Sequence, residues 1–391
     1  MWRLWNVYFL FVLSIAIRIY SESTHYISPD SEFYLEAAQN LINGNGLRVS
    51  KSYPVEKVFD VNNTIQLTMW PIGYPLLIAL VSIVSGLNVF LSSKIIGIIF
   101  LAIIFYLLYF KYKNEAWKYG MVFGSFTLIE VFSYTWSEAP FLSVWLIFYF
   151  YINDLINNKL DFGLIAKGIT ICVSLFILRY IGAISLLFLT SIFIFKSFIN
   201  KKFSVGLFFM IGSVLLFYVS YSIYNYIFSG YFTGSYRFQY EQESIYQWGV
   251  ICFNGIMNEF FVFRKFWNVG IAAEWLFFLC LGVQIAFLIY LNQLLNKPFQ
   301  INQNIKVALF MAVSYTITIC ILRKLSPFDP INYRLMAPAT LLGLLAAVEF
   351  ININTKKEYR IDLWILSFFG FSLMMNLPKN YLIEKISAVI F

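Results

Sequence analysis

The stretch SPDSEFYLEAAQNLINGNGL at residues 28–47 is the most patterned polar part of a very apolar chain. Ser28 is a good helix N-cap, Pro29 is a good first helical residue, and Asp30 stands at the positive end of the helix dipole with Glu32. The residues that follow are apolar at helical spacing and end in two glycines: Phe33, Tyr34, Ala37, Ala38, Leu41, Ile42, then Gly44 and Gly46. This pattern predicts a short amphipathic helix on a membrane surface, with Asp30 as either a helix-start residue or a catalytic one.

The composition is that of a polytopic membrane protein. Of the 391 residues, 60% are hydrophobic and only 12% are charged, whereas a soluble domain has about 25% charged residues. The formal charge of +8 comes from Lys and Arg that lie mostly at helix ends, as membrane topology requires. We therefore expect no nucleic-acid partner.

Apolar runs predict about eleven transmembrane helices in an all-α bundle. The predicted spans are 4–20, 89–111, 118–135, 139–153, 163–179, 180–197, 203–228, 270–293, 305–323, 334–351 and 361–377. The first has no small-residue cleavage site after it, so we interpret it as a retained helix and not a signal peptide.

The apolar segment 70–86 decides the topology. Basic linkers at 111–118, 196–202 and 356–360 all fall on the cytoplasmic side, with Arg3, only if 70–86 does not cross the membrane. We interpret it as a juxtamembrane or re-entrant helix within a first extracytoplasmic loop, 21–88. A second long loop, 229–269, is predicted to hold another interfacial helix. The expectation is one transmembrane domain, 1–391, without a separate soluble domain.

With this topology, ionisable residues from several loops converge on the extracytoplasmic side. Because charges beside hydrocarbon are costly, such a convergence indicates a site, although each residue could also simply flank a helix in water. The residues are Asp30, Glu32, Glu138, Arg179, Arg237, Glu241, Asp329 and Arg334.

Several short motifs together resemble a known enzyme family. They are the stretch 28–47, WPIGYPLL at 70–77, WSEAP at 136–140, LRYIG at 178–182 and YRLMAP at 333–338. In order and spacing they resemble the GT-C type of membrane glycosyltransferase, which takes a sugar from a polyprenyl-phosphate carrier. Protein-mannosyltransferases and lipid A aminoarabinose transferases are relatives of this type.

The resemblance implies roles for the two acidic residues. Asp30 matches the proposed catalytic base of that family. Glu138 matches a second acidic residue that orients the acceptor or a metal ion; many relatives have Asp there, which puts the role of Glu138 in doubt. Its alternative role is that of a carboxylate at a helix N-terminus, ahead of Pro140.

Arginines are the candidate ligands of the donor phosphate, because a bidentate guanidinium suits phosphate better than an ammonium. Arg179 interrupts the largely apolar run 169–195, and Arg334 begins a predicted span. Arg237 is a third candidate. Plain interfacial anchoring is the alternative for all three.

Aromatic residues are the candidate lining of a sugar or acceptor pocket, since ring faces stack on pyranoses. Tyr34, Trp70 and Tyr74 are assigned here with Asp329; the aromatic residues could instead form an interfacial belt, and Asp329 could pair with Arg334 or Arg323.

No Walker or Rossmann glycine loop is present, so nucleotide binding is not expected. The one histidine and four cysteines lack metal-ligand spacing, so no zinc site is expected either. The resemblance implies a polyprenyl-phosphate sugar as donor, a divalent cation as an optional cofactor, and a lipid, glycan or protein acceptor among membrane lipids. It places the protein in a bacterial inner membrane with its site facing outward.

Two other classes remain open. A multi-pass transporter or flippase would carry its charges along a path through the membrane, with inverted repeats. A lipid-modifying acyltransferase would use a membrane-embedded histidine. The sequence favours an inverting glycosyltransferase over both, because its charges gather at one face and no repeat is evident.

Overall fold

A computed structural model describes residues 1–50, 64–158, 160–200, 203–232, 234, 243–265, 275–325, 330–355 and 358–378. Over these residues the protein is all-α apart from one short strand pair, β1 (Arg48–Val49) with β2 (Ile65–Gln66). The helices are α1 (Trp2–Ser21), α2 (Pro29–Ile42), α3 (Gly73–Ser85), α4 (Val89–Tyr112), α5 (Ala116–Gly120), α6 (Phe126–Ser133), α7 (Glu138–Asn157), α8 (Phe162–Leu178), α9 (Ile184–Asn200), α10 (Val205–Ser229), α11 (Ile245–Phe260), α12 (Trp275–Leu294), α13 (Gln303–Leu325), α14 (Tyr333–Ile353) and α15 (Glu358–Met375). Short 3-10 turns are Lys113–Glu115, Met121–Gly124 and Tyr180–Ala183.

Within the described ranges, eight helical stretches are long and apolar enough to cross a membrane. They are Trp2–Ser21, Val89–Gly124, Glu138–Asn157, Tyr180–Ile199, Val205–Ser229, Phe277–Leu294, Gln303–Leu325 and Tyr333–Ile353. This pattern is that of a multi-pass, all-α membrane protein and confirms that part of the prediction. The count of about eleven spans stays a prediction; α8, one of the other three, is a shorter apolar helix of 17 residues.

The predicted span 118–135 is not one continuous helix. It consists of α5, a 3-10 turn and α6, separated at Ser125, whose backbone is extended (φ −66°, ψ 150°). At this break the amide of Phe126 donates to the carbonyl of Val262 at 2.9 Å. A Cβ on Gly124 would stand 2.8 Å from the carbonyl oxygen of Phe369, so close backbone packing holds the break in place.

Helix α3 occupies most of the segment 70–86 and has 13 residues. At a rise of about 1.5 Å per residue it is roughly 20 Å long, shorter than the roughly 30 Å hydrocarbon core. Gly86 ends it in the left-handed region (φ 70°). That this segment does not cross the membrane stays a prediction.

The chain groups into two compact units, which we describe separately. Unit 1 consists of 1–27, 101–134 and 240–391, and unit 2 of 28–100 and 135–239. The expectation of a single transmembrane domain stays a prediction.

Unit 2 is built around α8, which packs against α3, α7 and α10. Helices α2 and α3 share a core of Tyr34, Ala38, Tyr74 and Ile78. The antiparallel strand pair joins Arg48 to Gln66 and Val49 to Ile65; residues 51–63 lie outside the described part of the chain.

Unit 1 is built around α14, which packs against α6, α11 and α13. Helix α11 confirms the predicted helix in the loop 229–269. Buried apolar residues occur along the length of α14; Leu341, Leu342 and Leu345 are examples.

Candidate functional site

The first turn of α2 is capped as the sequence predicts. Ser28 is the N-cap and Pro29 the first helical residue. The Ser31 amide donates to Ser28 Oγ at 3.4 Å, and the Ser28 amide donates to Ser31 Oγ at 3.0 Å. This reciprocal capping box fixes the helix start, and Asp30 stands inside it, partly exposed, at the positive end of the dipole.

This capped turn is hydrogen-bonded to the segment that leads into α7. Ser31 Oγ donates to the carbonyl of Thr135 at 2.9 Å, and Trp136 Nε1 donates to Ser28 Oγ at 2.7 Å. One turn further on, the Tyr34 hydroxyl lies 3.3 Å from Ser137 Oγ. Asp30 is therefore held beside the residues that immediately precede Glu138.

Glu138 and Arg179, both predicted site residues, form an ion pair. The Glu138 side chain is only 1% exposed and the Arg179 side chain 17%. Glu138 is also the first residue of α7, so it is a helix N-terminal carboxylate, as the alternative interpretation states; its role in a site stays a prediction. The pair is anchored by the buried carboxylate, and the guanidinium is the partner that reaches toward solvent.

The backbone around Arg179 is tightly packed. Arg179 is extended (φ −153°, ψ 134°) between α8 and the 3-10 turn Tyr180–Ala183. A Cβ on Gly73 would stand 2.5 Å from the Ile177 carbonyl oxygen, and one on Gly182 would stand 2.4 Å from the Leu175 carbonyl. Only glycine permits these approaches, so α3 and the turn after Arg179 fix where its side chain starts.

The predicted pocket aromatics differ in exposure. Tyr34 and Tyr74 are buried and meet edge to face with ring centroids 5.1 Å apart. Trp70 is partly exposed and lies 5.8 Å from the Tyr34 ring. Tyr34 and Tyr74 thus form the packed wall behind the site, and Trp70 is the member of this group with ring surface left to offer a ligand.

Tyr74 also joins a polar chain that sequence reasoning missed. It hydrogen-bonds Ser93, whose hydroxyl lies 3.0 Å from Thr135 Oγ1. Burial, with Tyr34 and Glu138 nearby, raises the pKa of Tyr74 well above its ordinary value, so the phenol stays neutral. Small hydroxyl residues inside apolar helices were the available signal, but they are common in membrane helices generally.

The remaining candidates are not among the described residues of unit 2. Arg334 belongs to unit 1, where it is partly exposed in the first turn of α14, next to Tyr333; Asn332 caps this helix by accepting from the Leu335 amide at 3.2 Å. Arg237, Glu241 and Asp329 lie outside the described residues. Arg323, one proposed partner of Asp329, forms an ion pair with Glu243.

Unit 1 contains a buried ion pair that the sequence analysis did not single out. Arg18, only 4% exposed, pairs with Glu130 and donates from Nε to Ser133 Oγ at 3.0 Å. Its guanidinium also lies 5.0 Å from the Tyr26 ring centroid. A charge inside each of two apolar segments, 2–21 and 126–133, was the signal that could have revealed the pair.

A second overlooked carboxyl is Glu259, near the end of α11. It accepts hydrogen bonds from the hydroxyls of Thr127, at 2.8 Å, and Thr340. Burial outweighs these two bonds and raises the pKa of Glu259 from 4.5 to about 7. At a pH between these two values, Glu259 therefore keeps its proton in the folded chain and has lost it in the unfolded chain.

We expect this proton to make stability fall as pH rises. The pKa of Glu259 is higher in the folded chain than in the unfolded chain. The stability that its proton contributes is therefore fully present below about pH 4.5 and is lost as the pH rises from there to about 7. The loss is on the order of 3 kcal/mol. Thermal unfolding of purified protein in detergent at pH 5 and pH 8 should show a larger drop for the wild type than for Glu259→Gln, whose amide does not titrate. The exposed-site variant Glu22→Gln should follow the wild type, and an equal drop in Glu259→Gln would contradict the prediction.

Within the described residues, no group of three or more His, Cys, Asp or Glu side chains is arranged to hold a metal ion. The divalent cation of the sequence analysis stays an expectation. Comparison of the chain with protein-family models, with curated proteins and with solved structures finds no match.

Proposed function

We propose that the chain is an inverting glycosyltransferase of the GT-C type, which moves a sugar from a polyprenyl-phosphate carrier to an acceptor hydroxyl. The reaction takes place on the extracytoplasmic side of the membrane, in a bacterium on the outer face of the inner membrane. One observation carries the proposal: the turn that bears Asp30 is hydrogen-bonded to the segment leading into the Glu138–Arg179 ion pair. An acid–base group and a guanidinium thus belong to one connected piece of unit 2.

Asp30 is the general base. It accepts the proton of the acceptor hydroxyl while the acceptor oxygen bonds to the anomeric carbon. The bond from that carbon to the phosphate oxygen breaks on the opposite side, which inverts the configuration. The polyprenyl phosphate leaves with the electron pair of the broken bond. Asp30 is accessible for the role of base because it is partly exposed and lies at the start of α2.

Arg179 stabilises the charge that develops on the departing phosphate. Its guanidinium N–H groups can donate to Glu138 on one side and to a phosphate oxygen on another. Arg334 and Arg237 are further candidates for the same charge. The three pocket residues Tyr34, Trp70 and Tyr74 divide into a packed wall and one ring, that of Trp70, available to stack on the sugar.

Glu138 acts as a positioning residue. A buried carboxylate at the first residue of α7 has little freedom to approach an acceptor, but it holds the guanidinium of Arg179 in one orientation. Orientation of an acceptor or a metal ion, the role implied by the resemblance, is therefore the weaker proposal for this residue.

The outer face of α3 suits a donor delivered within the membrane. Leu76, Leu80, Ile83 and Val84 recur at helical spacing and are exposed. This apolar stripe begins where Gly73 packs against Ile177, two residues before Arg179. A polyprenyl tail along α3 would place its phosphate near that end of the helix.

The test is transfer of radiolabelled sugar in membranes that carry the chain, with membranes lacking it as control. We expect label to move to an acceptor from one or more polyprenyl-phosphate sugars and not from the matching nucleotide sugars. Transfer from nucleotide sugars alone would overturn the proposal. If no donor of a broad panel gives transfer, and the purified chain in vesicles moves a lipid-linked sugar across the bilayer, the transporter alternative replaces it.

A further inference from the structure

Helix α11 lies against the C-terminal end of α13, both in unit 1. Glu243, just before α11, forms an ion pair with Arg323 and accepts from Lys324 Nζ through its carbonyl at 2.9 Å. One turn into α11, Trp248 Nε1 donates to the carbonyl of Cys320 at 2.9 Å. These contacts set the register between the two helices.

In this register two cysteines meet. Cys252 follows Trp248 by one helical turn, and its thiol is hydrogen-bonded to the thiol of Cys320. Cys252 is buried and Cys320 partly exposed, and both are reduced. The four cysteines of the chain have no informative spacing in sequence, so only the packing of α11 on α13 brings this pair together.

The topology predicted from the loop charges places this pair toward the extracytoplasmic side. The loop 229–269, which contains α11, is predicted to lie outside, and Cys320 is five residues from the end of α13 at Leu325. Extracytoplasmic compartments are oxidising, and disulfides form and persist there. A thiol pair in contact at this position is therefore exposed to oxidants.

We propose that Cys252 and Cys320 are a site of reversible oxidation, which forms a disulfide bridge that fastens α11 to α13. The oxidant is a disulfide, either a small molecule or an oxidised dithiol protein. The Cys320 thiolate, the more accessible of the two, attacks it, and one reagent thiol leaves. Cys252 then attacks the Cys320 sulfur, and the second reagent thiol leaves; two protein thiols become one S–S bond and one reagent disulfide becomes two thiols. The inference does not depend on the proposed function.

We expect the second step to be the slower one. Burial, the largest cause, raises the pKa of Cys252, and the opposite effect of Arg323 does not cancel this. Because the thiolate is the nucleophile, bridge formation accelerates as pH rises. Reaction at pH 9 is therefore expected to be faster than at pH 7, by up to the increase in thiolate of about tenfold per pH unit.

The experiment uses the purified full-length chain in detergent, reduced and then treated with oxidised glutathione at pH 9. Thiols are counted after denaturation with a maleimide that shifts gel mobility. We expect the wild type to fall from four reactive thiols to two, and mass spectrometry of a non-reduced digest to find peptides joined through Cys252 and Cys320. A reductant should restore all four.

Matched variants show which cysteines react. Cys172→Ser and Cys280→Ser should still lose two thiols each, whereas Cys252→Ser and Cys320→Ser should give no internally linked peptide. Four reactive thiols in the oxidised wild type, or a bridge between other cysteines, would overturn the proposal. The wild-type peptide map decides the question even if a variant fails to fold.

Discussion

Asp30→Asn is expected to lower sugar transfer by about 10²- to 10⁴-fold, the range that loss of a general base produces. The amide keeps the size of the side chain and cannot accept the acceptor proton. Loss of a carboxylate from the first turn of α2 should cost only about 0.3–1 kcal/mol of stability. The capping box of Ser28 and Ser31 is unaffected, so the variant should still fold. Transfer in membranes matched for expression, with the thermal unfolding midpoint of the same protein, measures both effects.

Glu32→Gln is the matched control for this prediction. Glu32 lies in the same helical turn, is exposed, and loses the same charge at the same helix end. We expect it to transfer sugar at close to the wild-type rate. If Asp30→Asn and Glu32→Gln transfer equally well, Asp30 is a helix-start residue and the base must be sought elsewhere. The enzyme class would survive that result.

Removal of one partner from the Glu138–Arg179 pair is expected to be strongly destabilising. Glu138→Gln leaves the Arg179 cation without its buried counter-charge, which typically costs about 3–5 kcal/mol. The double variant Glu138→Gln with Arg179→Met has no charge to desolvate, so it should recover most of that stability. Unfolding midpoints of the wild type, both single variants and the double variant form a double-mutant cycle that isolates the coupling between the two residues.

Activity should not follow stability across this cycle. The double variant is expected to fold and yet transfer little sugar, because no guanidinium is left to meet the departing phosphate. Arg179→Lys should keep part of the stability and less of the activity, since an ammonium cannot make two parallel bonds. Wild-type transfer by the double variant would show that the pair serves the fold alone.

Features that depend on local sequence were predicted well. The start of α2 follows from Ser28 and Pro29, and its end from Gly44 and Gly46, which take the left-handed conformation that glycine favours (φ 81° and 76°). The length of α3 follows from its flanking proline and glycine residues in the same way. In each case the determining contacts join residues a few positions apart, so the local sequence is enough to predict them.

Features that depend on contacts between distant segments were not predicted. The break in 118–135 exists because the Gly124 backbone packs against Phe369 and the Phe126 amide bonds Val262. Glu138 and Arg179 were each suspected from their cost in an apolar setting, but nothing in the sequence indicated that each is the partner of the other. The burial of Tyr34 and Tyr74 likewise depends on how α2 meets α3.

The double use of Ser31 holds the start of α2 against fraying. Helices usually fray from both ends, but the completely buried Ser31 hydroxyl closes the capping box and also holds Thr135. Opening of the first turn therefore requires the contact between Ser31 and Thr135 to break as well. The carboxylate of Asp30 therefore stands at a helix end that is held against fraying by a contact with another segment of unit 2.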